Sequence, residues 1–445
     1  MSLHLDLAPY RRIAQDLVPV RRQGRVLQVI GLTIEAEGLS PHLGEICHIY
    51  TRAGSSRISA EVVGFREGRF VLMPFGDVQG LTPDSVVFSS GRHFTVPVGN
   101  ELMGRVVDGF ARPIDDKGPL GCAQERNLGG LPPSPLKRSR ITQPISTGVQ
   151  AIDGLLTCGQ GQRIGLFSGS GVGKSTLMGM VARHARADVS VIALIGERGR
   201  EVQDFLQNDL GEAGLRRAVV VVSTSDQPAL LRLKGAWVAT TIAEHFRDQG
   251  LNVLFMMDSV TRFAMAQREI GLAAGEPPTT RGYPPSVFSV LPKLMERTGT
   301  SETGTITGFY TVLMEADDPS EPIADTVRSI LDGHIYLSRD LANENHYPAI
   351  DVLASISRLM PQITTEAHQR AAGQFRSLLA VYRNFRDLLN LGAYVPGTNP
   401  DLDSALALLP AMNDYLRQPP GERTTLEDAH RRLTALFADR DTSDA

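Results

Sequence analysis

The sequence predicts an α/β protein in which a parallel β-sheet is preceded by a small β-barrel and followed by a helical domain. Short β-branched segments separated by glycine or polar turns fill residues 23–95, a pattern typical of a small antiparallel β-domain. Apolar runs alternate with helical patterns from about residue 145 to 360, which indicates a parallel sheet covered on both faces, and the domain that contains it is predicted at residues 96–361. Apolar residues recur at helical spacing within residues 362–445.

Residues 1–22 form a short arm ahead of the predicted barrel. The arm is mixed in composition and contains four arginines. Its apolar residues fit one face of a helix, but Pro9 interrupts the pattern. Two interpretations therefore stand for this arm: a partly ordered N-terminus, or a helix that binds a partner.

The barrel strands are predicted from four apolar segments with polar or glycine turns between them. Those segments are RVLQVIGLTIEAE, GEICHIYTR, ISAEVVGF and RFVLMPF. Most aromatic residues of this region follow the apolar alternation, so they are predicted to lie in the core. The aromatic residues considered are Tyr50, Phe65, Phe70, Phe75 and Phe88, and the core prediction applies to most of them. After the barrel, residues 109–140 are rich in glycine and proline and are predicted to be an ordered loop.

The central sheet is predicted from five continuous apolar runs. In chain order they are RIGLFSG, VSVIALIG, AVVVVST, NVLFMMD and FYTVLME. The C-terminal region is predicted to contain a helix whose apolar stripe packs into a core. That stripe consists of Phe375, Leu378, Leu379, Tyr382, Phe385, Leu388 and Leu389.

A glycine-rich loop follows the first of these strands and leads into a predicted helix. Strand, loop and helix are the context that a phosphate-binding P-loop requires, because successive backbone N–H groups and the helix N-terminus then face phosphate oxygens. Lys174 is predicted to bridge the β- and γ-phosphates and Ser175 to bind Mg²⁺. Ser168 stands where the pattern has its first glycine, and a small residue still fits that turn. The predicted nucleotide-binding residues of the loop are Gly169, Ser170, Gly171, Val172, Gly173, Lys174, Ser175 and Thr176.

Two carboxylates follow strands that end at the same edge of the sheet. Asp258 ends the run NVLFMMD and is predicted to hold a water of the Mg²⁺ shell. Glu197 follows the run VSVIALIG, where a carboxylate can orient the water that attacks the γ-phosphate. Taken alone, the run Glu-Arg-Gly-Arg-Glu that begins at Glu197 is also typical of a solvated turn with salt bridges.

Composition lowers the expectation of several other functions. The formal net charge is −4, with 45 basic and 49 acidic side chains, so no wholesale binding of nucleic acid or anionic lipid is expected. The three cysteines are odd in number and have no metal-ligand spacing, so reduced thiols in or near cores are expected. The N-terminus lacks the apolar run of a signal peptide, and no stretch is long enough to cross a bilayer. A cytoplasmic location is therefore expected.

Several motifs occur in one order along the chain and together resemble the catalytic subunits of rotary ATPases, and within them the type III export ATPases. The resemblance covers nearly the whole chain from Gly24 and implies a P-loop (RecA-like) ATPase core that uses ATP and Mg²⁺. The motifs are VPVG from Val96, the P-loop, GER from Gly196, DSVTR from Asp258, GYPPSVF from Gly282, HYPAID from His346, and Ser357-Arg358.

The resemblance implies a role for each matching residue. Lys174 and Ser175 match the phosphate and metal positions, Glu197 the general base, and Asp258 the acid of the metal site. Arg262 matches a position near the γ-phosphate, Tyr347 the aromatic residue that stacks on adenine, and Arg358 an arginine finger that reaches the neighbouring subunit's γ-phosphate. Arg198 and Glu201 match positions around the base, and Glu201 is also predicted at the metal with Ser175 and Asp258.

The resemblance also implies partners and a setting. It implies a homohexamer, export chaperones with their substrates, a regulatory protein bound to the N-terminal arm, a central stalk protein and a membrane export gate, with the ring at the inner face of the cell membrane. The segments Asn390–Pro400 and Ala354–Arg358 look like the flagellar export version, whereas Pro278–Tyr283 looks like the virulence-secretion version. The flagellar version is the prediction.

Two other classes stay open at this point. A proton-coupled rotary synthase subunit would require a non-catalytic partner chain, and Glu197 argues against this chain being the non-catalytic type. A ring-shaped RNA translocase would present aromatic residues on basic strands, which the predicted barrel does not.

Overall fold

The computed structural model describes residues 22–51, 57–315, 318 and 320–438. These fall into two compact units that divide between Phe94 and Thr95. The predicted N-terminal arm lies outside the described residues except for Arg22. The division of the chain at residues 23, 96 and 362 stays a prediction.

The first unit is a closed antiparallel barrel with the strand order β1-β2-β5-β4-β3-β6 among its described residues. Its strands are β1 (Gly24–Ile30), β2 (Thr33–Glu37), β3 (Glu45–Tyr50), β4 (Arg57–Arg66), β5 (Arg69–Pro74) and β6 (Val86–His93). Alternate side chains point inward and form the barrel core, as the period of a β-strand requires. The predicted barrel is confirmed.

The aromatic residues of the barrel are less buried than the sequence predicts. Phe70 and Phe75 are core residues, and Phe88 is half-buried. Tyr50 and Phe65 are 38% and 58% exposed, so these two of the five aromatic residues are not core residues. Tyr50 lies near the end of β3 and packs edge-on against Phe88, with ring centroids 5.6 Å apart, instead of entering the core.

The second unit is built on a mostly parallel sheet. Its strands in chain order are β7 (Thr95–Val98), β8 (Val106–Asp108), β9 (Gln124–Asn127), β10 (Pro144–Ile145), β11 (Cys158–Gly159), β12 (Arg163–Ser168), β13 (Val189–Ile195), β14 (Ala218–Ser223), β15 (Asn252–Asp258), β16 (Gly299–Thr300), β17 (Thr305–Leu313), β18 (Gly333–Leu337) and β19 (Ile350–Ser357). The five predicted runs correspond to β12, β13, β14, β15 and β17.

The helices of the second unit cover this sheet and continue beyond it. They are α1 (Gln150–Leu155), α2 (Lys174–His184), α3 (Gly199–Asp204), α4 (Gly211–Leu215), α5 (Ala229–Asp248), α6 (Val260–Ala274), α7 (Pro285–Met295), α8 (Pro322–Ile330), α9 (Arg339–Asn343), α10 (Met360–Ile363), α11 (Glu366–Asn390), α12 (Pro400–Leu416) and α13 (Leu426–Ala435). A π-helical segment, Phe205–Leu210, joins α3 to α4. In the part of the chain that the structure describes, no helix is long and apolar enough to span a membrane.

The order of the main sheet, within the described residues, is β19-β18-β12-β17-β15-β13-β14-β8. Every neighbouring pair on this path is parallel except β18 and β19, which are antiparallel. Parallel strands end at one edge, so the residues that follow β12, β13, β15 and β18 lie together there. Because β19 runs the other way, its last residue lies at the opposite edge.

The C-terminal helices share a hydrophobic core with the sheet. Phe375 of α11, Tyr415 of α12 and Leu433 of α13 belong to the same buried cluster as Leu166 of β12 and Leu177 of α2. The predicted apolar stripe of α11 is therefore core at its start. It is not core at its end, since Leu388 is 38% exposed.

The cysteines agree with the sequence-based expectation. Cys47 and Cys158 are buried, Cys122 is half-buried, and all three are free thiols. Burial raises the pKa of Cys47 to about 12, so this thiol stays protonated at neutral pH.

Candidate active site

The predicted P-loop joins β12 directly to α2. Ser168 ends the strand and is fully buried, so the small residue at the first position of the pattern fits the turn. Gly173 stands just before the helix with φ of 90°, in the left-handed region that glycine adopts without strain. Val172 is 1% exposed and packs beneath the loop. Strand, loop and helix therefore have the arrangement that holds a phosphate chain.

A cleft of about 630 Å³ opens above this loop. It brings together most of the residues that the sequence predicted for the site. The predicted residues that line it are Gly169, Ser170, Gly171, Gly173, Lys174, Ser175, Thr176, Glu197, Glu201 and Arg262. This volume suits a nucleotide-sized ligand.

Lys174 lies between the two carboxylates that the sequence singled out. Its ammonium contacts Asp258 Oδ1 and lies 3.8 Å from Glu197 Oε1. Thr311 of β17 also donates to Asp258 Oδ1, at 2.6 Å. The two contacts hold the buried carboxylate of Asp258 at the edge of the sheet, beside the phosphate loop.

Glu197 lies at the wall of the cleft and is 6% exposed. Arg262, on the first turn of α6, donates Nε to Glu197 Oε1 at 3.2 Å. Gly196 makes this approach possible, because a Cβ there would lie only 2.8 Å from Cδ of Arg262. Gly196 also has φ of 72°, which other residues rarely adopt. The glycine before the glutamate thus allows the arginine to reach it.

Burial and neighbouring acids raise the pKa of Glu197 to about 7. Removal of the charged form from water has the largest effect, followed by the nearby charge of Asp258 and a hydrogen bond shared with Glu201. Lys174 and Arg262 oppose this shift. The pKa of Glu201 is lowered, chiefly because it accepts the hydrogen bond from Glu197. A carboxyl group with a pKa near 7 is suited to exchange a proton with water.

Activity is therefore expected to rise with pH through about 7. Glu197 can act as a base only when deprotonated, so kcat/KM falls below that pH as the proton returns. Replacing Glu201 with Gln removes the carboxylate that accepts a hydrogen bond from protonated Glu197. The pKa of Glu197 then falls, and the acidic limb of the kcat/KM profile moves to lower pH. Steady-state kinetics from about pH 5.5 to about pH 9, a range that spans the pKa of Glu197, measure the shift.

Asp204→Asn is the matched control for this prediction. It removes an exposed acid of the same helix, α3, which forms an ion pair with Arg200 at 3.7 Å. An acidic limb that stays in place in Glu201→Gln, or moves equally in Asp204→Asn, contradicts the shared-proton account.

The donors for a metal ion suit Mg²⁺ bound together with a nucleotide. Ser175 lines the cleft, and the carboxylate of Asp258 lies beside Lys174. Among the described residues, no group of three or more His, Cys, Asp or Glu could hold a metal by itself. Mg²⁺ keeps several waters and binds through one or two protein oxygens plus substrate phosphates, so this sparse donor set fits it.

Tyr347 lies beside the P-loop at the start of α2. A Cβ on Gly173 would lie 3.4 Å from Cε1 of the Tyr347 ring, and that ring is 40% exposed. The ring thus stands next to the phosphate loop with a face open to solvent. Stacking of this ring on a nucleotide base stays a prediction.

Arg358 is the one predicted residue that the structure places far from the cleft. It follows β19, and its backbone N–H donates to the carbonyl of Asp332 at 3.1 Å. Asp332 in turn pairs with Arg163, the first residue of the P-loop strand. Ser168, the last residue of that strand, is five positions after Arg163, so the two ends of the strand lie about 17 Å apart at the rise of a β-strand. Arg358 is exposed at this opposite edge and does not reach its own chain's cleft.

Sequence analysis missed two residues that line the cleft and bond to distant segments. Arg339, at the start of α9, lines the cleft and donates Nη1 to the carbonyl of Ser170 at 3.1 Å. Thr261 accepts a hydrogen bond from the backbone N–H of Leu313, at 2.9 Å. Arg339 is 169 positions from Ser170, and only the pairing of β12 with β18 brings the two together. No local pattern signals that register.

Comparison with known proteins decides the family. The chain is 54% identical to the flagellum-specific ATP synthase of Bacillus subtilis (strain 168), over 94% of this chain and 95% of that protein. It is 51% identical to the type 3 secretion system ATPase of Xanthomonas euvesicatoria, over 94% of this chain and 95% of that protein. The chain belongs to the type III export ATPase family.

Family models and solved structures agree with this assignment. The nucleotide-binding domain of the ATP synthase alpha/beta family matches residues 148–357, its beta-barrel domain residues 26–91, and the T3SS EscN ATPase C-terminal domain residues 364–435. The assembled ATPase EscN of the type III secretion system of enteropathogenic E. coli superposes with a TM-score of 0.89 at 47% identity, covering 93% of this export ATPase and 99% of EscN. The predicted family, fold and ATP-hydrolysing class of enzyme are confirmed.

Proposed function

We propose that this export ATPase hydrolyses ATP to drive protein export through the flagellar type III secretion apparatus, working as a homohexameric ring. One observation carries the shared-site part of the proposal: Glu197 lines the cleft, whereas Arg358 lies at the opposite edge of the same sheet. A single copy therefore does not bring Arg358 to its own site but can offer it to a neighbour. Identical copies in a closed ring complete every site, because each interface is the same.

The residues of the cleft take separate roles in hydrolysis. The P-loop N–H groups and Lys174 bind the β- and γ-phosphates, and Glu197 takes a proton from the water that attacks the γ-phosphate. Arg262, held at 3.2 Å from Glu197, orients this base and lies close to the transferred phosphoryl group. Arg358 of the neighbouring copy stabilises the charge that develops on the equatorial oxygens. Tyr347 stacks on adenine.

Mg²⁺ is the metal that this donor set favours. Ser175 would hold it through its hydroxyl, Asp258 through a bound water, and Glu201, which also lines the cleft, through its carboxylate. When bound, the ion neutralises charge on the β- and γ-phosphate oxygens.

The relatives support the assembly and its partners. One solved structure is described as the assembled ATPase EscN in complex with its central stalk EscO, and it covers 93% of this chain at 46% identity. We therefore propose a central stalk protein inside the ring. Export chaperones with their substrates, a regulatory protein on the N-terminal arm and a membrane export gate are proposed from the family alone. The ring is proposed to lie in the cytoplasm at the inner face of the membrane, with no nucleic acid partner.

Secretion through a virulence-type apparatus is the second candidate. The specific observation in its favour is the 51% identity to the Xanthomonas euvesicatoria enzyme, close to the 54% identity to the Bacillus subtilis enzyme. Both candidates use the same site chemistry, so the site itself does not separate them.

Complementation separates the two. The full chain is expressed in a bacterium that lacks its flagellar export ATPase, and in parallel in one that lacks its virulence-type secretion ATPase. Restored swimming and filament export in the first strain, without restored secretion in the second, is the expected result. Restored secretion in the second strain alone would favour the virulence apparatus, and a purified chain without ATPase activity would contradict both.

A further inference from the structure

Gln418 is a buried polar residue in the loop between α12 and α13 and is 4% exposed. Its side chain makes three hydrogen bonds, all to main-chain groups. Oε1 accepts from the backbone N–H of Gln150 at 2.8 Å, and Nε2 donates to the carbonyls of Gly148 and Glu422, each at 2.9 Å. Both ends of the amide are thus used, which fixes the main chain at this position.

The main chain of Gln418 reaches the nucleotide site. Its backbone N–H donates to the carbonyl of Tyr347 at 3.0 Å. Tyr347 stands next to Gly173 at the start of α2. A loop of the C-terminal helical region is therefore bonded to the residue that we place against the nucleotide base.

The same loop is bonded to the other end of α2. Arg183, in the last turn of that helix, donates Nη2 to the carbonyl of Pro420 at 2.8 Å, and its Nη1 contacts the carbonyl of Asp209. The loop thus bonds to the last turn of the P-loop helix and to Tyr347, whose ring lies beside the start of that helix. It also leads directly into α13, whose Leu433 lies in the core shared with α2.

We propose that Gln418 is a positioning residue that couples nucleotide binding to the C-terminal helices, by holding the loop 417–425 against Tyr347. This inference rests on the proposed placement of the nucleotide beside Tyr347. Coupling of this kind is reciprocal: a nucleotide that orders Tyr347 also orders the loop, and a loosened loop weakens nucleotide binding. Gln418 touches no reacting atom, so its loss acts on affinity rather than on the chemical step.

Gln418→Met is the variant that tests this role. Methionine has nearly the same volume but makes none of the three side-chain bonds, so the main chain at 418 is no longer fixed. We expect KM for ATP to rise about fivefold or more, the lower range of typical coupling, while kcat of the assembled enzyme stays close to that of the unaltered chain. In hydrogen exchange, ADP should protect the amides of 417–425 in the unaltered chain and fail to protect them in the variant at saturating ADP.

Gln369→Met is the matched control. Gln369 lies on α11 and also donates to two backbone carbonyls, those of Pro361 at 2.9 Å and Thr364 at 3.0 Å. A general loss of stability in the C-terminal helices would affect both variants, whereas coupling through the loop affects Gln418→Met alone. Gln418→Glu is the second variant: it keeps the acceptor for Gln150 but turns a buried carboxylate oxygen toward the carbonyls of Gly148 and Glu422, so its KM is expected to rise at least as much as that of Gln418→Met.

The outcomes separate this inference from the function on which it rests. Unchanged KM and unchanged ADP protection in folded Gln418→Met or Gln418→Glu would overturn the coupling role while leaving the ATPase intact. A fall in kcat with unchanged KM would also overturn it, because the residue would then act on the chemical step. Failure of the unaltered chain to bind ADP would overturn the proposed function and, with it, this inference.

Discussion

Replacing Glu197 with Gln is expected to leave ATP binding nearly intact and to lower turnover by about 10²–10⁴-fold, the usual worth of a positioned base. The amide has the same shape and still accepts a hydrogen bond from Arg262 Nε. It has no basic carboxylate, so the attacking water keeps its proton. Single-turnover cleavage of radiolabelled ATP, compared with binding of ATP by the same protein, measures the two effects separately.

A matched control keeps this result specific. Glu212→Gln makes the same chemical change at an exposed position at the start of α4. It should turn over ATP at the rate of the unaltered chain. Cleavage at a normal single-turnover rate in Glu197→Gln would rule out Glu197 as the base.

Replacing Arg358 with Ala is expected to lower turnover by about 10³–10⁵-fold, the range known for arginine fingers, without loss of ATP binding. The residue is exposed at the sheet edge opposite its own cleft, so its removal leaves the P-loop of the same chain untouched. Arg370→Ala is the control, since Arg370 is an exposed arginine of α11 that forms an ion pair with Glu366 of the same helix at 3.9 Å. Turnover should fall in the first variant and persist in the second.

Mixing experiments test whether the finger acts on a neighbour. Arg358→Ala retains Lys174, and Lys174→Ala retains Arg358, so an interface between the two chains can hold one complete site. When equal amounts of the two variants assemble at random, half of the chains carry Lys174, and half of the neighbours of those chains carry Arg358. About a quarter of the interfaces in the rings then hold a complete site. Activity in the mixture that neither variant shows alone is expected. A mixture as inactive as its parts would contradict the shared site.

Features that depend on residues close together in the sequence could be predicted from the sequence. The P-loop, its lysine and the strand-terminal acids follow from a continuous pattern, because strand, turn and helix are set by local geometry. The same holds for β12–β15 and β17, which the sequence marks as apolar runs. Gly196 was also part of a sequence motif, but the sequence did not show that its missing side chain lets Arg262 approach Glu197.

Contacts between segments that are far apart in the sequence could not be predicted. Arg339 reaches Ser170 only because β18 pairs with β12, and Gln418 reaches Tyr347 only because the loop before α13 folds back over α2. The exposure of Tyr50 and Phe65 was missed because alternation gives the face of a strand but not how far the barrel core extends. Long-range packing, not local propensity, decides these features.

Specific ATPase activity of the purified chain, measured alone over a wide range of protein concentration, tests the central claim most directly. If neighbouring copies share each site, activity per chain is near zero when the protein is dilute, rises steeply as copies assemble, and then saturates. A profile that is flat, or activity that appears only after a second type of chain is added, would contradict the homohexameric shared site and favour a synthase-like hetero-oligomer.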